Sequence, residues 1–298
     1  MHIDLVAPGL EAVIGKNPPL DRIAYGLLFG EGPVWDRRTE QLFYVDILSN
    51  TIWKWKRGVG KEIVLHPSGY ADGMTFDIEG RLVVAGWSAR TVWRLEHDGS
   101  IRTLVSHYQG QKLNTPNDIV VKSDGSIYWT DMAGGLMIAG MVAPDLQQYR
   151  DALGVFRLSP NGEQVDFVVD TNCVAPNGLA FTPDEKILYL NDSRLGTIRA
   201  FDVQPDGSLT GERLFHKLSG DEEGVADGMK VDSVGNVYCT GPGGIHVIDS
   251  GGNLLGRMRI PGHCTNMGWG DSDWRSLYIT TCDSVWRTRV NIPGVATW

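Results

Sequence analysis

Residues 116–131 read Pro116-Asn117-Asp118-Ile119-Val120-Val121-Lys122-Ser123-Asp124-Gly125-Ser126-Ile127-Tyr128-Trp129-Thr130-Asp131. A polar pair opens this stretch, and two apolar runs follow it with a Ser-Asp-Gly turn between them. Apolar runs of this length on either side of a tight turn predict a β-hairpin. The first strand of the hairpin would begin at Asn117.

The same pattern recurs five more times along the chain. Close copies open at Asn177 and Asp227, and looser copies open at Glu31, Asp72 and Asn266. We refer to the six opening residues as the ring residues: Glu31, Asp72, Asn117, Asn177, Asp227 and Asn266. They recur about every 40 to 60 residues, which is the length of a four-stranded propeller blade with loops of variable size.

This repeat predicts an all-β fold, a six-bladed β-propeller with four antiparallel strands in each blade. Six segments of alternating or aromatic content follow the hairpins and are predicted as third strands: 51–56, 91–95, 154–158, 197–202, 244–249 and 284–290. Asp-Gly, Asn-Gly or Gly-Gly pairs at 98–99, 161–162, 206–207 and 251–252 are predicted as turns, because they accept positive φ.

A propeller closes only when a strand from one terminus pairs with the blade built by the other, since two sheet edges would otherwise stay open. Residues 22–29 are the predicted closing strand. Residues 1–20 have mixed polarity and contain Pro18-Pro19, which predicts a lead-in segment without a regular element. A closed array can absorb the whole length, so we predict a single domain over residues 1–298.

The composition limits the possible partners. A net charge of −9 and a pI near 5.2, without a Lys/Arg cluster, argue against a nucleic-acid partner or an anionic membrane surface. We expect a small-molecule partner, while the oligomeric state is not indicated. No apolar run of about 18 residues and no signal-peptide pattern is present, which predicts a cytoplasmic protein. The four cysteines lack CxxC spacing and are expected to be reduced thiols.

The ring residues are candidates for binding a cation. The first strand of each blade lines the central channel, so residues that open these strands should converge at one end of it. Glu31 and Asp227 supply carboxylates, and Asn117 and Asn177 supply amide oxygens. An all-oxygen set suits a hard divalent cation, with Ca²⁺ first, Mg²⁺ or Mn²⁺ next and Zn²⁺ less favoured. Asn-Gly and Asp-Gly are ordinary turn dipeptides, but Glu31 has no turn preference that would explain its position.

Four stretches resemble signature motifs of the gluconolactonase family, also called the regucalcin-like senescence-marker family. They are Glu31-Gly32-Pro33-Val34-Trp35, Pro116-Asn117-Asp118, Pro176-Asn177-Gly178-Leu179-Ala180 and Asp227-Gly228-Met229. The resemblance covers the chain from about residue 30 to 292. It implies a six-bladed propeller with one divalent cation in its channel, and a metal-dependent lactonase that opens sugar-acid lactones such as glucono- or xylonolactone. Carried over, the metal ligands are Glu31, Asn117, Asn177 and Asp227.

The resemblance also implies that Asp227 is catalytic and orients or deprotonates the attacking water. A carboxylate bonded to a cation is a weaker base, so Asp72 and Asp131 stay open as alternatives and as substrate-binding residues. Some animal members of the family have a substrate-contacting arginine where this chain has Thr115. We include Thr115, Asn117 and His263, which lies just before Asn266, among the predicted substrate-binding residues.

Residues 132–153 form the longest insertion and follow the second strand of the third blade. A short helix is predicted over 143–153, where Pro144-Asp145 would open it. The insertion would either cover the channel mouth or lie on the surface as an excursion. The function also has two readings, a lactonase or a propeller that binds a cation or ligand without turnover, because a fold does not fix a function.

Overall fold

The computed structural model describes residues 1–138, 140–141, 143–169 and 173–297. These residues form six antiparallel sheets of four or five strands and one small two-stranded hairpin. The innermost strand of each sheet packs against the innermost strand of the next, and the sixth packs against the first. The predicted all-β, six-bladed propeller is therefore confirmed.

Two strands and a helix precede the first blade: β1 (His2–Leu5), α1 (Leu10–Ile14) and β2 (Leu20–Tyr25). Blade one contains β3 (Gly30–Asp36), β4 (Gln41–Asp46), β5 (Thr51–Lys56) and β6 (Gly60–Leu65). Blade two contains β7 (Ala71–Phe76), β8 (Leu82–Gly86), β9 (Thr91–Leu95) and β10 (Ile101–Val105). The small hairpin of β11 (His107–Tyr108) and β12 (Gln111–Lys112) separates it from blade three.

Blade three contains β13 (Thr115–Val121), β14 (Ile127–Met132), β15 (Gly154–Leu158) and β16 (Val165–Val169), with a 3₁₀ turn at Gly134–Leu136. Blade four contains β17 (Pro176–Phe181), β18 (Ile187–Asp192), β19 (Thr197–Val203) and β20 (Leu209–Lys217). Blade five contains β21 (Met229–Val231), β22 (Val237–Gly241), β23 (Gly244–Ile248) and β24 (Leu254–Arg259). Blade six contains β25 (Cys264–Gly270), β26 (Ser276–Thr281) and β27 (Ser284–Arg289).

The N-terminal segment completes the last two blades. β2 pairs antiparallel with β27, with Leu20 opposite Thr288, and so becomes the fourth strand of blade six. β1 pairs with β24 as a fifth strand of blade five. The predicted closing strand is confirmed, although it begins at Leu20 and ends at Tyr25.

The prediction that residues 1–20 contain no regular element was wrong. The helix α1 buries Leu10, Val13 and Ile14 against blades five and six. Val13 and Ile14 follow Leu10 by three and four residues, which is the spacing of apolar residues on one face of a helix. No helix in the described part of the chain is long and apolar enough to cross a membrane.

The core is divided into layers between neighbouring blades. Blades six and one, for example, share Trp35, Trp55 and Tyr278, and the Trp35 and Tyr278 rings stack at 5.4 Å between centroids. Comparable clusters lie between each of the other neighbouring pairs of blades. Each blade is therefore stabilised by burying both of its faces against its neighbours, and the closed ring leaves no blade with an unpacked face.

The predicted third strands agree with β5, β9, β15, β19, β23 and β27 to within one residue at each end. The predicted turns also agree, since Gly99 and Gly207 adopt φ of 84° and 85°. All four cysteines are free thiols. The helix predicted over 143–153 is absent, because the Asp145 and Gln147 carbonyl oxygens accept hydrogen bonds from the Arg90 guanidinium instead of from a helical turn.

Candidate metal centre at one end of the channel

Five of the six ring residues lie at a β-bulge near the start of an innermost strand. The register of β3 shifts between Glu31 and Val34, and equivalent shifts occur in β7, β13, β17 and β25. A bulge leaves a residue unpaired and redirects its side chain. In blade five the paired strand begins at Met229, two residues after Asp227. The ring residues can therefore direct their side chains toward one another at this end of the channel.

Polar side chains from the second strands stabilise these unpaired backbone positions. Thr130 Oγ1 accepts a hydrogen bond from Asp118 N at 3.0 Å, and Thr240 Oγ1 accepts one from Asp227 N at 2.9 Å. Asn191 Oδ1 plays the same part for Gly178 N at 3.1 Å. At these three positions a side chain of the second strand thus replaces the backbone hydrogen bond that regular strand pairing would provide.

Glycine follows four of the ring residues because neighbouring strands approach closely. A Cβ at Gly73 would lie 2.6 Å from the Asn117 carbonyl oxygen. A Cβ at Gly228 would lie 2.1 Å from Asn266 Oδ1. Side chains larger than hydrogen at these positions would push the strand ends apart, so the glycines fix the spacing of the ring residues.

The Glu31 carboxylate is buried and only half satisfied. Its Oε2 accepts hydrogen bonds from Gly32 N at 2.7 Å and from Asn266 Nδ2 at 2.8 Å. Its Oε1 is buried and has no hydrogen-bond partner among the described residues. Burial raises the pKa of Glu31 to about 7. An orphaned carboxylate oxygen in such a place calls for a cation, a water or a proton.

Two more carboxylates are linked to ring residues of neighbouring blades. Asn117 Nδ2 donates to Asp72 Oδ2 at 2.8 Å, and the Asn177 side chain lies close enough to Asp227 to lower the pKa of that carboxyl. Burial first, and then the negative charge of Glu31, raise the pKa of both Asp72 and Asp227 well above the ordinary range. Side chains from blades one to five therefore interact within one site.

The site has an excess of negative charge that suits a cation. Its carboxylates are Glu31, Asp72, Asp118 and Asp227, and the one ammonium group that contacts it in the described structure is Lys230. Asn117 and Asn177 each donate through Nδ2, which leaves both Oδ1 atoms available as neutral ligands. The residues present fit a divalent cation held by Glu31, Asn117, Asn177 and Asp227. No group of three or more His, Cys, Asp or Glu side chains in the described residues has metal-site geometry, and the predicted set contains two such side chains.

Two site residues were missed from the sequence. Lys230 Nζ lies 3.6 Å from Asp118 Oδ2, and Asp118 Oδ1 accepts a hydrogen bond from Ile119 N. Both had a detectable signal. Asp118 stands where four other repeats have glycine, and Lys230 is charged where the third residue after every other ring residue is uncharged.

The remaining predicted site residues lie apart from this group. Asp131 is fully buried, and its Oδ2 accepts a hydrogen bond from Asn114 N at 2.9 Å. Burial raises the pKa of Asp131 to about 7, although the nearby Arg150 and Arg90 oppose the shift. Its polar partners in the described structure include Asn114, Arg90 and Arg150 but no ring residue.

Thr115 is also fully buried. Its hydroxyl donates to Met132 O at 2.5 Å and accepts from Gly135 N at 3.2 Å, so it anchors the start of the insertion. His263 is half-buried, and its carbonyl oxygen accepts a hydrogen bond from Cys282 N at 3.1 Å.

The described part of the insertion packs across the loops at the end of the channel where the ring residues lie. Met141 packs in one cluster with Ile47, Trp87 and Ala175, which come from the loops of blades one, two and four. Trp87 Nε1 also donates to Met141 O at 2.8 Å. Positions 139 and 142 of the predicted cover lie outside the described residues.

A cavity of about 470 Å³ is lined by residues that follow the ring residues along the innermost strands. Trp35, Phe181 and Trp269 line it together with Lys230, and residues 295–297 also line it. None of the six ring residues lines this cavity. Lys230 therefore lies between the candidate metal centre and the rest of the channel.

Comparisons with known proteins are consistent with this geometry. Residues 29–283 match the family described as the SMP-30/Gluconolactonase/LRE-like region. A gluconolactonase of Zymomonas mobilis is 30% identical, over 97% of this chain and 86% of the relative. The pentonolactonase XacC of Haloferax volcanii is 26% identical, over 85% of this chain and 81% of the relative. A solved gluconolactonase from Xanthomonas campestris is 30% identical, with a TM-score of 0.89 over 97% of this chain and 94% of that chain. The relatives that bear these names are lactone hydrolases.

Proposed function

Because the chain belongs to the SMP-30/gluconolactonase/LRE-like family, we propose that it is a divalent-metal-dependent lactonase that hydrolyses a sugar-acid lactone to the open-chain acid. The observation that carries this proposal is the buried Oε1 of Glu31, which has no partner among the described residues and lies among converging carboxylates. The named activities of the relatives support lactone hydrolysis and favour glucono- or pentonolactones as substrates.

Glu31, Asn117, Asn177 and Asp227 would hold the cation, with Ca²⁺ preferred on their oxygen chemistry. A bound divalent cation supplies Lewis acidity, which polarises the lactone carbonyl and stabilises the negative charge that develops on its oxygen.

Asp227 is proposed to accept the proton of the attacking water. Glu31 and Asp72 are only 3% and 4% exposed, whereas Asp227 is half-buried and so is the most accessible of the three to a water molecule. The Asn177 side chain beside this carboxylate lowers its pKa and so opposes the effect of burial. Water then adds to the carbonyl carbon, the ring C–O bond breaks, and the leaving oxygen takes up a proton as the open-chain acid forms. Asp72 is the alternative base, but it is buried and bonded to Asn117.

A metal-removal experiment tests the proposal. We expect the chelator-stripped protein to hydrolyse glucono-δ-lactone and xylonolactone no faster than buffer, and added Ca²⁺, Mg²⁺, Mn²⁺ or Zn²⁺ to restore turnover to different extents. Proton release measures the rate, and a thermal melt of the stripped protein serves as the control for folding. If the protein binds a cation but accelerates none of these lactones, it is a binding propeller rather than an enzyme.

A further inference from the structure

Lys230 places its ammonium group among oxygen atoms from three blades. Nζ lies 3.6 Å from Asp118 Oδ2 in blade three, and it donates to Asn266 Oδ1 in blade six at 3.3 Å. It also donates to its neighbouring carbonyl, Met229 O, at 3.0 Å. The ammonium therefore has defined partners and is not a free charge at the channel wall.

These contacts determine how the Asn266 amide is oriented. Asn266 Oδ1 accepts hydrogen bonds from Lys230 Nζ at 3.3 Å and from Met267 N at 2.8 Å. An amide that accepts two hydrogen bonds at its oxygen must point its NH₂ group the other way. The NH₂ group then donates to Glu31 Oε2 at 2.8 Å.

The orientation of Asn266 in turn determines which Glu31 oxygen is free. Oε2 accepts hydrogen bonds from Asn266 and from Gly32 N, whereas Oε1 has no partner in the part of the chain that the structure describes. If Asn266 turned over, its amide oxygen would face the Glu31 carboxylate and repel it. A hydrogen-bonded chain thus runs from Lys230 through Asn266 to the proposed cation ligand.

We propose that Lys230 is a positioning residue for the cation ligand Glu31 and acts through Asn266, with Asp118 holding the ammonium in place. This inference rests on the proposed metal site described above. Groups that orient a metal ligand in this way typically change metal affinity by about ten to a hundredfold when they are removed.

A purely electrostatic role for Lys230 makes the opposite prediction. Lys230 adds a positive charge beside a cation site, so its removal would tighten cation binding if charge alone mattered. A positioning role predicts weaker binding, because Glu31 would lose its fixed orientation. The sign of the change in affinity therefore distinguishes the two roles.

Calorimetric titration of Ca²⁺ into chelator-stripped protein measures this sign. We expect Kd to rise about tenfold in Lys230→Met and less in Lys230→Gln, because glutamine retains an NH₂ donor. Lys122→Met is the matched control, since Lys122 also pairs with carboxylates, Asp124 and Glu185, but at the other end of its strand. Its Kd should equal that of the parent, and saturating Ca²⁺ should bring lactone turnover of Lys230→Met close to the parent rate.

A double-mutant cycle separates positioning from a merely structural effect. If Lys230 acts through Asn266, adding Lys230→Met to Asn266→Ala should weaken Ca²⁺ binding no further. Additive losses, or an unchanged or tighter Kd in Lys230→Met, would overturn the inference. Should Lys230→Met fail to fold, the comparison of Lys230→Gln with the parent gives the same sign test. A parent protein that binds no divalent cation would instead overturn the proposed metal site.

Discussion

Two ligands of the candidate site should respond differently to substitution. Asp227→Asn keeps an oxygen of nearly the same size but removes a charge and the proposed proton acceptor, so we expect activity to fall at least about a hundredfold at saturating cation. Asn177→Ala removes a neutral ligand but no charge, so excess cation should recover part of its activity. Steady-state lactone hydrolysis across a cation titration measures both responses.

The reason for the difference is that saturating cation compensates for weak binding but does not replace a base. Asn191→Ala, which alters the bulge at Gly178 rather than a ligand, is a useful control for general disturbance of blade four. If Asp227→Asn runs at the parent rate when saturated, Asp227 is only a ligand, and Asp72 becomes the first candidate for the base.

Asp131 should make folding stability depend on pH. Burial raises its folded pKa from 3.8 to about 7, with Arg90 and Arg150 facing it, so the folded state holds a proton that the unfolded chain has lost. Its contribution to stability is full below the unfolded pKa and is lost as the pH rises toward about 7.

Asp131→Asn removes this dependence, so its free energy of unfolding relative to the parent should rise by about 2 to 3 kcal/mol between pH 5 and pH 8. Denaturant unfolding of both proteins at the two pH values, with the same cation concentration, measures the difference. A constant gap between the two proteins would mean that Asp131 is ionised throughout this range.

At the scale of elements, the insertion after β14 should govern substrate fit rather than folding. Ala143 N donates to Gly135 O at 2.8 Å, so the chain nearly returns to its starting point between these residues. Residues 136–142 can therefore be replaced by a two-residue Gly-Ser link while Arg90 keeps its contacts with Asp145 and Gln147.

We expect this shortened variant to raise KM about three- to tenfold or to alter lactone preference, because the removed segment packs across the loops at this end of the channel. The propeller should still fold, since no blade strand is changed, but with a lower melting temperature, because the contacts of Met141 with Trp87 are lost. Kinetics on a panel of lactones provide the measurement, and unchanged values on every lactone would reduce the segment to a surface loop.

The elements that the sequence predicted well are those that repeat. The pattern of a hairpin followed by a third strand recurs six times in the sequence. The positions of the ring residues at the start of each hairpin followed from this repetition. The contacts of Lys230 with Asp118 and Asn266 could not be predicted from the sequence, because they join three blades that are distant in sequence. The helix predicted over 143–153 failed for a related reason, since a buried arginine from blade two binds the carbonyl oxygens that a helix would need.

At the scale of the whole molecule, the N-terminal segment should matter in two separable ways. Deleting residues 1–16 removes β1 and α1, and with them the completely buried side chains of Leu10 and Ile14. The deletion leaves the β2–β27 pairing intact. We expect this variant to fold with a lower melting temperature. Deleting residues 1–25 also removes β2 and exposes an edge of blade six, so we expect aggregation or no cooperative melt.

Thermal melts and size-exclusion chromatography of the two deletion variants test this distinction. The shorter deletion is the control for the longer one, because both lose the same apolar contacts of α1. If the protein lacking residues 1–25 elutes as a monomer and melts cooperatively, three strands are enough for the sixth blade.

The pairing of β2 with β27 also has a consequence for biosynthesis. Leu20 lies opposite Thr288, so the closing strand leaves the ribosome long before its partner strand is translated. Until then, the growing chain exposes an unpaired strand and the apolar face of an incomplete array, which favours association with other chains. Pairings so distant in sequence also form slowly, because the loop between them must be ordered first. We therefore expect the yield of folded protein in cells to depend on translation speed and on chaperones that bind extended apolar segments.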